Sequence, residues 1–558
     1  MQAWDAGETW MANQGALLRS SPVLADALAG SRPGRAVVRD ESGRWLLRRH
    51  RHVRRLDLEP ARLAAALAAE ASDPTHIVVD GVGSGDLLVE VLRRWPGLPV
   101  HAWERDPDVL RVALEMRDLS GALLSGRLVL HAGAGLLDLP TGPGVHRVRH
   151  PDQASETDPG GTGPWAVVVD GTLFIRDLCE VLPEHGYRVF RLRVDAGGPP
   201  WVLWNLHRLR AAVVFGINHR VGLAELCTGA GIPLVEWEID PSLEEMKPAT
   251  GPTERARLYT WRTRNVAAWT QMGFSHVEAL PLAANVTHRR PEPEVDRDRY
   301  GGRVVFVGNS LAERLPSHRA SLQGLIELWG RSRGEGDDAP VRAAQRVQAL
   351  IQRCRRALPA HAAPSVLAEI CPGIEETARR HGLPWEPSML LGEIAGAFWR
   401  LEVLAALAPQ GAQVWGDTGW KAIERNGVRY RGFAGHTRDL GAIYSAADIN
   451  LDIGRVYQSD IVTMRVFDVL ACGGFLLAAW SEGLAELFEL GVELDTWRTI
   501  PELMDKVGFY LERPDVRARM ADRGRARVLR DHTVRGRIRT MLTGVGLSAD
   551  AGPGRVPT

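Results

Sequence analysis

The chain has 558 residues, 45% hydrophobic and 24% charged, which is enough for about three to four domains with cores of their own. Lys plus Arg and Asp plus Glu both number 68, and this neutral balance argues against broad nucleic-acid binding through phosphate contacts. The five cysteines are odd in number and share no metal-ligand spacing, so we expect a reduced, cytoplasmic protein with no metal site. The N-terminus has no signal-peptide pattern, and the longest apolar stretch, 469–480, is too short to cross a bilayer.

Short apolar runs alternate with amphipathic segments, a pattern that predicts βαβ units and parallel sheets. The predicted strands form three blocks: 77–79, 100–103 and 128–130; then 166–169, 188–191, 212–215, 234–237 and 277–280; then 304–307, 413–415, 449–451 and 475–478. Residues 341–409 are rich in Ala, Leu and Arg without strand signals, so we predict a helical insertion in the third block.

Connectors are predicted where Gly, Pro and polar residues replace the apolar pattern, at 141–164 and 289–300. These breaks set the predicted domain boundaries. We predict a Rossmann-like domain over 1–145, a linker over 146–164, a second α/β lobe over 165–295, a third over 296–547 with its insertion at about 316–405, and a disordered tail over 548–558.

The first block contains a glycine turn of the kind that binds nucleotides. Gly81, Gly83 and Gly85 join a strand to a helix, and Glu104 ends the next strand, where an acid can bond ribose hydroxyls. The pattern resembles the cofactor-binding half of S-adenosylmethionine-dependent methyltransferases. The third strand lacks the acid that usually meets the adenine, and the connector leaves no room for a substrate site. A vestigial, structural or partner-binding role therefore stays open.

The most informative stretch begins at Val428. It predicts a strand, a glycine loop ending at Phe433, a helix, the buried strand 449–451, a polar loop, and a helix over 463–471 that ends in two glycines. Asp460 and Asp468 have seven residues between them. This spacing puts one carboxylate before the last helix and the other inside it, where both can reach one ligand.

This stretch resembles the C-terminal half of GT-B glycosyltransferases, and most closely the spore-maturation CgeB-like family of group 1 glycosyltransferases. The family pattern is aromatic-x-Ala-x-Asp, an apolar strand, then Thr-x-Arg-x-Phe-(Glu/Asp)-x-x-Ala-Cys-Gly. It is matched by Tyr444–Asp448, Thr463, Arg465, Phe467, Asp468 and Ala471–Gly473. Segments 304–310, 415–420 and 531–537 are similar to the family's glycine turn, its Gly-Asp-x-x-Trp loop and its terminal His-Thr helix.

The resemblance implies a donor site in the third block. Asp468 would accept hydrogen bonds from the donor's ribose, with a solvated helix carboxylate as the alternative, and Asp460 would lie near the donor sugar. By this resemblance the two Asp residues stand in place of the two Glu of an E-x7-E motif. Arg465 and the N–H groups around the glycine turn would bind the diphosphate. The residues predicted to bind the donor are Gly308, Asn309, Ser310, Asp417, Phe433, Arg465, Asp468 and Gly473.

The second block resembles the acceptor-side half of the same fold. His219 follows a predicted strand and precedes a helix, so we expect it at the carboxyl edge of the sheet, where ligands bind. It can orient a sugar, act as a base, or simply bond loop carbonyls. Asp240 lies in a segment that matches a family strand end. The predicted catalytic residues are His219, Asp240 and Asp460.

The sequence therefore predicts an α/β protein: a two-lobed GT-B glycosyltransferase with a helical insertion and an N-terminal Rossmann-like domain. We expect it to move a sugar, as a metal-independent hexosyltransferase without a permanent cofactor, from a nucleotide-diphosphate sugar to a glycan, protein or small-molecule acceptor. Nucleic acid and integral membrane segments are not expected. Two alternatives stay open: a non-catalytic scaffold that binds a glycan or nucleotide, and an S-adenosylmethionine-dependent methyltransferase that uses residues 77–135.

Overall fold

The computed structural model describes residues 7–31, 37–40, 44–49, 52–68, 73–151, 162–171, 173–195, 198–240, 246–357, 363–383, 385–436, 439–454 and 460–548. The chain forms two compact units. The first comprises Met1–Glu236, Gly251–Ala256 and Val545–Thr558, and the second Trp237–Thr250 and Arg257–Gly544. All of the predicted tail except Ser548 lies outside the described residues.

Helices and strands alternate through most of the chain. The helices are α1 Gly7–Ser20, α2 Pro22–Gly30, α3 Pro60–Leu67, α4 Asp86–Arg94, α5 Pro107–Met116, α6 Ser120–Leu124, α7 Ile175–Val181, α8 Gly198–Leu209, α9 Leu223–Gly229, α10 Asn265–Gln271, α11 Arg297–Tyr300, α12 Leu315–Arg331, α13 Ala339–Ala357, α14 Ala363–Ile370, α15 Ile374–Arg380, α16 Pro387–Ala406, α17 Leu440–Ala446, α18 Met464–Ala471, α19 Glu482–Leu487, α20 Ile500–Leu511, α21 Pro514–Asp531 and α22 Val534–Gly544. The strands are β1 Val37–Arg39, β2 Trp45–Arg49, β3 His52–Arg55, β4 His76–Asp80, β5 Val100–Glu104, β6 Leu128–Ala132, β7 Val145–Arg149, β8 Trp165–Val169, β9 Arg188–Leu192, β10 Val213–Ile217, β11 Leu234–Glu238, β12 Ala256–Thr260, β13 Val277–Ala279, β14 Gly302–Val307, β15 Ala412–Trp415, β16 Arg429–Tyr430, β17 Ala447–Asp452, β18 Leu476–Ala479 and β19 Asp495–Trp497.

The N-terminal region contains two sheets. Strands β1, β2 and β3 form an antiparallel meander, and a four-stranded parallel sheet follows with the order β6-β5-β4-β7. Residues 145–149, which composition predicted to be connector, are the edge strand β7, paired with β4. Only Val148 of this strand is buried, and so β7 lacks the apolar run that marks a central strand.

Two six-stranded sheets follow. Their strand orders are β13-β12-β11-β10-β8-β9 and β16-β15-β14-β17-β18-β19. The second of these, the sheet of β14–β19, is parallel throughout, with the strand order of a Rossmann fold. Helices α12–α16 form the predicted insertion between β14 and β15. The predicted fold class, α/β with parallel sheets, is confirmed, whereas the domain boundaries stay predictions.

The core of the sheet of β14–β19 explains why its central strands could be predicted from the sequence. Val304, Phe306, Ile449 and Leu451 are fully buried, as expected where helices cover both faces of a parallel sheet. The carboxyl ends of β14, β15 and β17 lie side by side because these strands are neighbours and parallel. The polar residues that follow them therefore meet at one edge.

The C-terminal helix is tied to the segment after β13. His532 and Arg537 are both buried, and the Arg537 guanidinium donates to His532 Nδ1 at 2.8 Å. Burial first, and then the positive charge of Arg537, lower the pKa of His532 to about 4. Its imidazole is therefore neutral in the folded protein at physiological pH.

We expect this histidine to make the protein acid-sensitive. The unfolded chain binds the His532 proton with a pKa near 6.5 and the folded chain only near 4, so stability falls as the pH drops through that window. Between pH 7.5 and 5 the loss is about 2 kcal/mol of unfolding free energy. Urea unfolding at both pH values measures it, and His532→Gln should shrink the difference. The exposed His207, changed to Gln, is the control; an equal effect there would contradict the assignment.

Candidate functional site

The glycine turn after β14 brings two strand ends very close together. The Gly308 N–H donates to the Trp415 carbonyl at 2.9 Å. A Cβ on Gly416 would lie 2.1 Å from the Gly308 carbonyl oxygen, so only glycine fits there. The Trp420 indole N–H donates to the same carbonyl at 2.8 Å. The turn is therefore packed firmly against the end of β15.

Asp417 holds this turn from the β15 side. Its carboxylate accepts hydrogen bonds from the Ser310 N–H at 2.7 Å and from the Gly419 N–H at 2.9 Å. The N–H groups of Gly308 and Ser310, expected to bind the diphosphate, are thus already used inside the protein. Neighbouring groups of the same edge therefore satisfy both donors, and a diphosphate contact of these N–H groups stays a prediction.

Arg465 lies directly beside the turn. Its Nε donates to the Val307 carbonyl at 2.6 Å, and its Nη1 pairs with Asp452 at the end of β17. The guanidinium packs 4.5 Å from the Phe306 ring centroid, and a Cβ on Gly308 would approach its Nη2 to 2.5 Å. Arg465 and the turn, both predicted to bind the diphosphate, are thus neighbours, and the diphosphate contact itself stays a prediction.

A second arginine reaches the same edge from the helical insertion. Arg400 in α16 donates to the Asn309 carbonyl at 2.6 Å and to the Ile453 carbonyl at 3.1 Å. Sequence reasoning missed it. The available signal was a charged residue within a long, largely apolar helix, since a buried arginine needs specific partners. Arg400 fixes the ends of β14 and β17 relative to each other.

Asp468 forms a buried ion pair with an arginine that the sequence did not predict. Its Oδ2 lies 2.8 Å from Arg289 Nε, and both side chains are 5% exposed. Arg289 also donates to the His436 carbonyl at 3.0 Å. Burial alone lowers the pKa of Arg289, but the Asp468 carboxylate outweighs it and the pKa is raised. The solvated-carboxylate alternative for Asp468 is therefore wrong.

Asp460 has a different set of arginine partners. Its carboxylate accepts from Arg262 Nη2 at 2.9 Å and Nε at 3.2 Å, and Arg264 lies 3.4 Å away. Two neighbouring arginines after β12 thus hold the carboxylate in the loop before α18. The two predicted acids, Asp460 and Asp468, belong to separate ion pairs, so a shared ligand stays a prediction.

The remaining predicted donor-site residues differ in exposure. Phe433 is 80% exposed in the loop after β16, while Gly473 caps α18 with a left-handed φ of 70°. Asp240 lies two residues beyond β11 and precedes 241–245, which lie outside the described residues. Their functional roles stay predictions.

His219 follows β10 and has a buried carboxylate partner. Its Nδ1 is 2.9 Å from Glu236 Oε2, and the exposed fractions of the two side chains are 5% and 1%. Glu236 Oε1 also accepts the Arg220 N–H at 3.0 Å. The sequence predicted the histidine but not Glu236, whose only signal was an acid inside a strand.

The N-terminal glycine turn is filled by the protein itself. A Cβ on Gly83 would lie 2.5 Å from the Leu56 carbonyl oxygen and 2.6 Å from His150 Nε2. The carboxylate of Glu104 is fully buried. It accepts hydrogen bonds from the Val82 N–H at 3.2 Å and from the Asp106 N–H at 3.1 Å. These residues do not fit S-adenosylmethionine.

We therefore expect no binding of S-adenosylmethionine. Calorimetric titration should give only the heat of dilution, for the intact chain and for Gly83→Ala alike. Gly83→Ala should instead lower the melting temperature, since its φ of 55° and its close neighbours disfavour a side chain. Saturable binding by the intact chain that Gly83→Ala abolishes would restore the methyltransferase alternative.

None of the helices that the structure describes is long and apolar enough to cross a membrane. In the same part of the chain, no cluster of three or more His, Cys, Asp and Glu side chains is arranged to hold a metal ion.

Residues 399–543, about a quarter of the chain, match the model of a family described as glycosyl transferase-like. No curated protein has a significantly similar sequence. Among solved structures, HepE of Anabaena in complex with UDP-glucose is similar with 13% identity and a TM-score of 0.40, over 68% of this chain and 98% of HepE. AviGT4, a glycosyltransferase involved in avilamycin A biosynthesis, is similar with 13% identity and a TM-score of 0.35 over 68% and 98%. Sucrose-phosphate synthase of Thermosynechococcus elongatus has 12% identity and a TM-score of 0.32 over 85% and 97%.

Proposed function

We propose that the chain is a glycosyltransferase that takes a sugar from a nucleoside-diphosphate sugar held at the carboxyl edge of the sheet of β14–β19. One observation carries the proposal. The range that matches the glycosyl transferase-like family contains Arg400, Asp417 and Arg465, the side chains that meet at the ends of β14, β15 and β17. Ligands of open α/β sheets bind at that edge.

Arg465 is the proposed diphosphate ligand. Its guanidinium lies against Gly308, close to where a Cβ would stand, so only glycine admits it there, and guanidinium forks suit phosphate oxygens. Its bonds to the Val307 carbonyl and to Asp452 fix its orientation before a ligand arrives. Preorganised charge of this kind stabilises the negative charge that develops on the diphosphate as its bond to the sugar breaks.

Titration calorimetry with UDP, GDP, dTDP and ADP tests the donor site. We expect micromolar binding of one diphosphate and a loss of at least about tenfold in Arg465→Gln, which corresponds to one charged hydrogen bond. Arg519→Gln is the matched control, because Arg519 pairs with Asp515 on the exposed face of α21. Failure of all four diphosphates to bind at millimolar concentration would overturn the proposal, and binding without turnover of any sugar donor would favour the scaffold alternative.

Within this class we propose a CgeB-like, cytoplasmic, metal-independent hexosyltransferase, supported by the motif residues of 444–473 and by the proposed role of Arg465. The acceptor is a glycan, a protein or a small molecule. We expect turnover of the donor to be unchanged by EDTA, since a guanidinium takes the place that a metal ion has at other diphosphate sites. Release of nucleoside diphosphate with and without EDTA measures this, and a loss that Mg²⁺ or Mn²⁺ restores would contradict it.

A further inference from the structure

The carboxyl edge of the sheet β6-β5-β4-β7 is filled by parts of the same chain. At the end of β6, a Cβ on Gly133 would lie 2.3 Å from Asn205 Oδ1 and 2.8 Å from the Trp201 indole. At the end of β5, Asp106 pairs with Arg193 at 2.6 Å. The glycine turn at the end of β4 is filled by its own neighbours. Ligands of open α/β sheets bind at such an edge, and here helix α8 and the residue after β9 lie in that position.

Helix α8 meets the N-terminal region, the residues before 152, with one face. That face carries residues spaced i, i+3, i+4 and i+7: Trp201, Trp204, Asn205 and Arg208. Trp201 is 4% exposed, belongs to the hydrophobic core of the N-terminal region, and stacks on Trp204 at a ring distance of 5.5 Å. Arg208 pairs with Asp138 in the turn that follows β6. The opposite face carries three buried side chains that are not members of that core: Val202, Leu206 and Leu209.

Asn205 is the polar centre of this contact. Its side chain is fully buried; Oδ1 accepts the Ala134 N–H at 2.7 Å, and Nδ2 donates to the Trp201 carbonyl at 2.7 Å. The Gly133 carbonyl on the same turn accepts the Trp103 indole N–H at 2.8 Å. A buried amide is costly unless its donor and its acceptor are both used. Asn205 therefore fixes the position of α8 at which Ala134 has its acceptor.

Two ion pairs attach neighbouring strand ends to the same region. Arg193 directly follows β9, and the side chains of its pair with Asp106 are 12% and 7% exposed. Asp106 also accepts the Asp108 N–H at the start of α5, which holds the carboxylate in place. Arg105 lies 3.4 Å from Asp170, the residue after β8. Charges buried to this extent need a partner. The ends of β8 and β9 are therefore attached to the end of β5.

We infer that the N-terminal region is a docking domain whose ligand is helix α8 of the same chain. The inference goes beyond the proposed glycosyltransferase function and does not depend on it. A helix that lays apolar anchors against a partner uses a common mode of peptide recognition. Here Trp201 and Trp204 are the anchors, and Asn205 is a bonded polar group between them and the turn. Of the roles left open for the glycine turn and its domain, the inference selects partner binding, and the partner is the helix that follows β9.

Cleavage of the full chain between β7 and β8 tests the docking. A protease site inserted within 152–161 allows the purified, folded protein to be cut there with all of its residues retained. We expect both pieces to elute together from size exclusion at micromolar concentration. Separation of the unmodified pieces at that concentration would overturn the inference. Their release from each other by millimolar ATP, NAD or S-adenosylmethionine would overturn it too, because the edge would then bind a small ligand.

The buried ion pair is tested on the same cut protein. Arg193→Met should raise the concentration at which the pieces separate about 100-fold or more, since Asp106 then stays buried without its cation. Arg93→Met is the matched control, because Arg93 pairs with Glu90 on the exposed face of α4. Its effect should be less than about fivefold. Equal effects of the two changes would contradict the docking.

Hydrogen exchange of the uncut protein gives a readout that depends neither on the insertion nor on the folding of Arg193→Met. Asn205→Leu should speed exchange of the amides in 133–138 and 198–209 about tenfold or more, since the buried Ala134 N–H loses its acceptor. Exchange in α21 should not change. If exchange in both segments of Asn205→Leu matched the unmodified protein, the inference would be overturned.

Discussion

Changing Arg289 to methionine is expected to lower the free energy of unfolding by about 3–5 kcal/mol. The substitution leaves the Asp468 carboxylate buried at 5% exposure without its cationic partner. The attraction across 2.8 Å offsets the cost of burying both charges only while both are present. Urea unfolding at pH 7 measures the loss, and Arg519→Met, which breaks the exposed pair with Asp515, should cost less than about 1 kcal/mol.

The double variant Arg289→Met, Asp468→Leu separates the charge effect from simple loss of packing. Replacing both members of a buried pair by apolar groups is often neutral or stabilising, so we expect most of the lost stability to return. A double variant as unstable as the sum of both single changes would show that the pair does not behave as one unit. Nucleotide titration of a folded Asp468→Asn variant then tests the ribose contact separately from stability.

The sequence predicted strands well where burial on both faces of a sheet produces a continuous apolar run. β14 and β17 are apolar runs because both faces of their sheet are covered, and they were predicted within two residues of their bounds. β7 was missed, since an edge strand that is short and polar resembles a connector.

The residues of the candidate site also differ in how well the sequence predicts them. Arg465 and Asp468 lie in a compact motif, and a resemblance to a family can identify such residues. Their partners come from far along the chain: Arg289 is 179 residues from Asp468, and Val307 is 158 residues from Arg465. No local spacing encodes such pairs, because they form only when the strands of one sheet and the connector that begins at Arg289 come together in the fold. The hydrogen bonds from the Gly308 N–H to the Trp415 carbonyl and from the Ser310 N–H to the Asp417 carboxylate could not be predicted for the same reason.

Changing Arg537 to methionine is the second substitution expected to have a large effect. The buried guanidinium donates to the carbonyls of Pro281 at 2.7 Å and Leu282 at 3.2 Å, and to the Asp531 carbonyl at 3.0 Å, besides His532. Burial is the main cause that lowers the pKa of Arg537, to about 10, which marks a desolvation cost of about 3 kcal/mol. Hydrogen bonds from a charged donor contribute about 1.5–3 kcal/mol each, so four of them outweigh that cost.

We therefore expect Arg537→Met to lower the free energy of unfolding by about 3 kcal/mol or more, since three carbonyls lose their donor in a site closed to water. Arg537→Lys should recover part of the loss, because an ammonium group keeps the charge but cannot reach all the acceptors of a planar fork. Urea unfolding of both variants measures this order. If Arg537→Met were as stable as the unmodified chain, the desolvation cost would equal the whole contribution of the bonds. The bonds of Arg537 would then contribute no net stability to the attachment of α22 to the segment after β13.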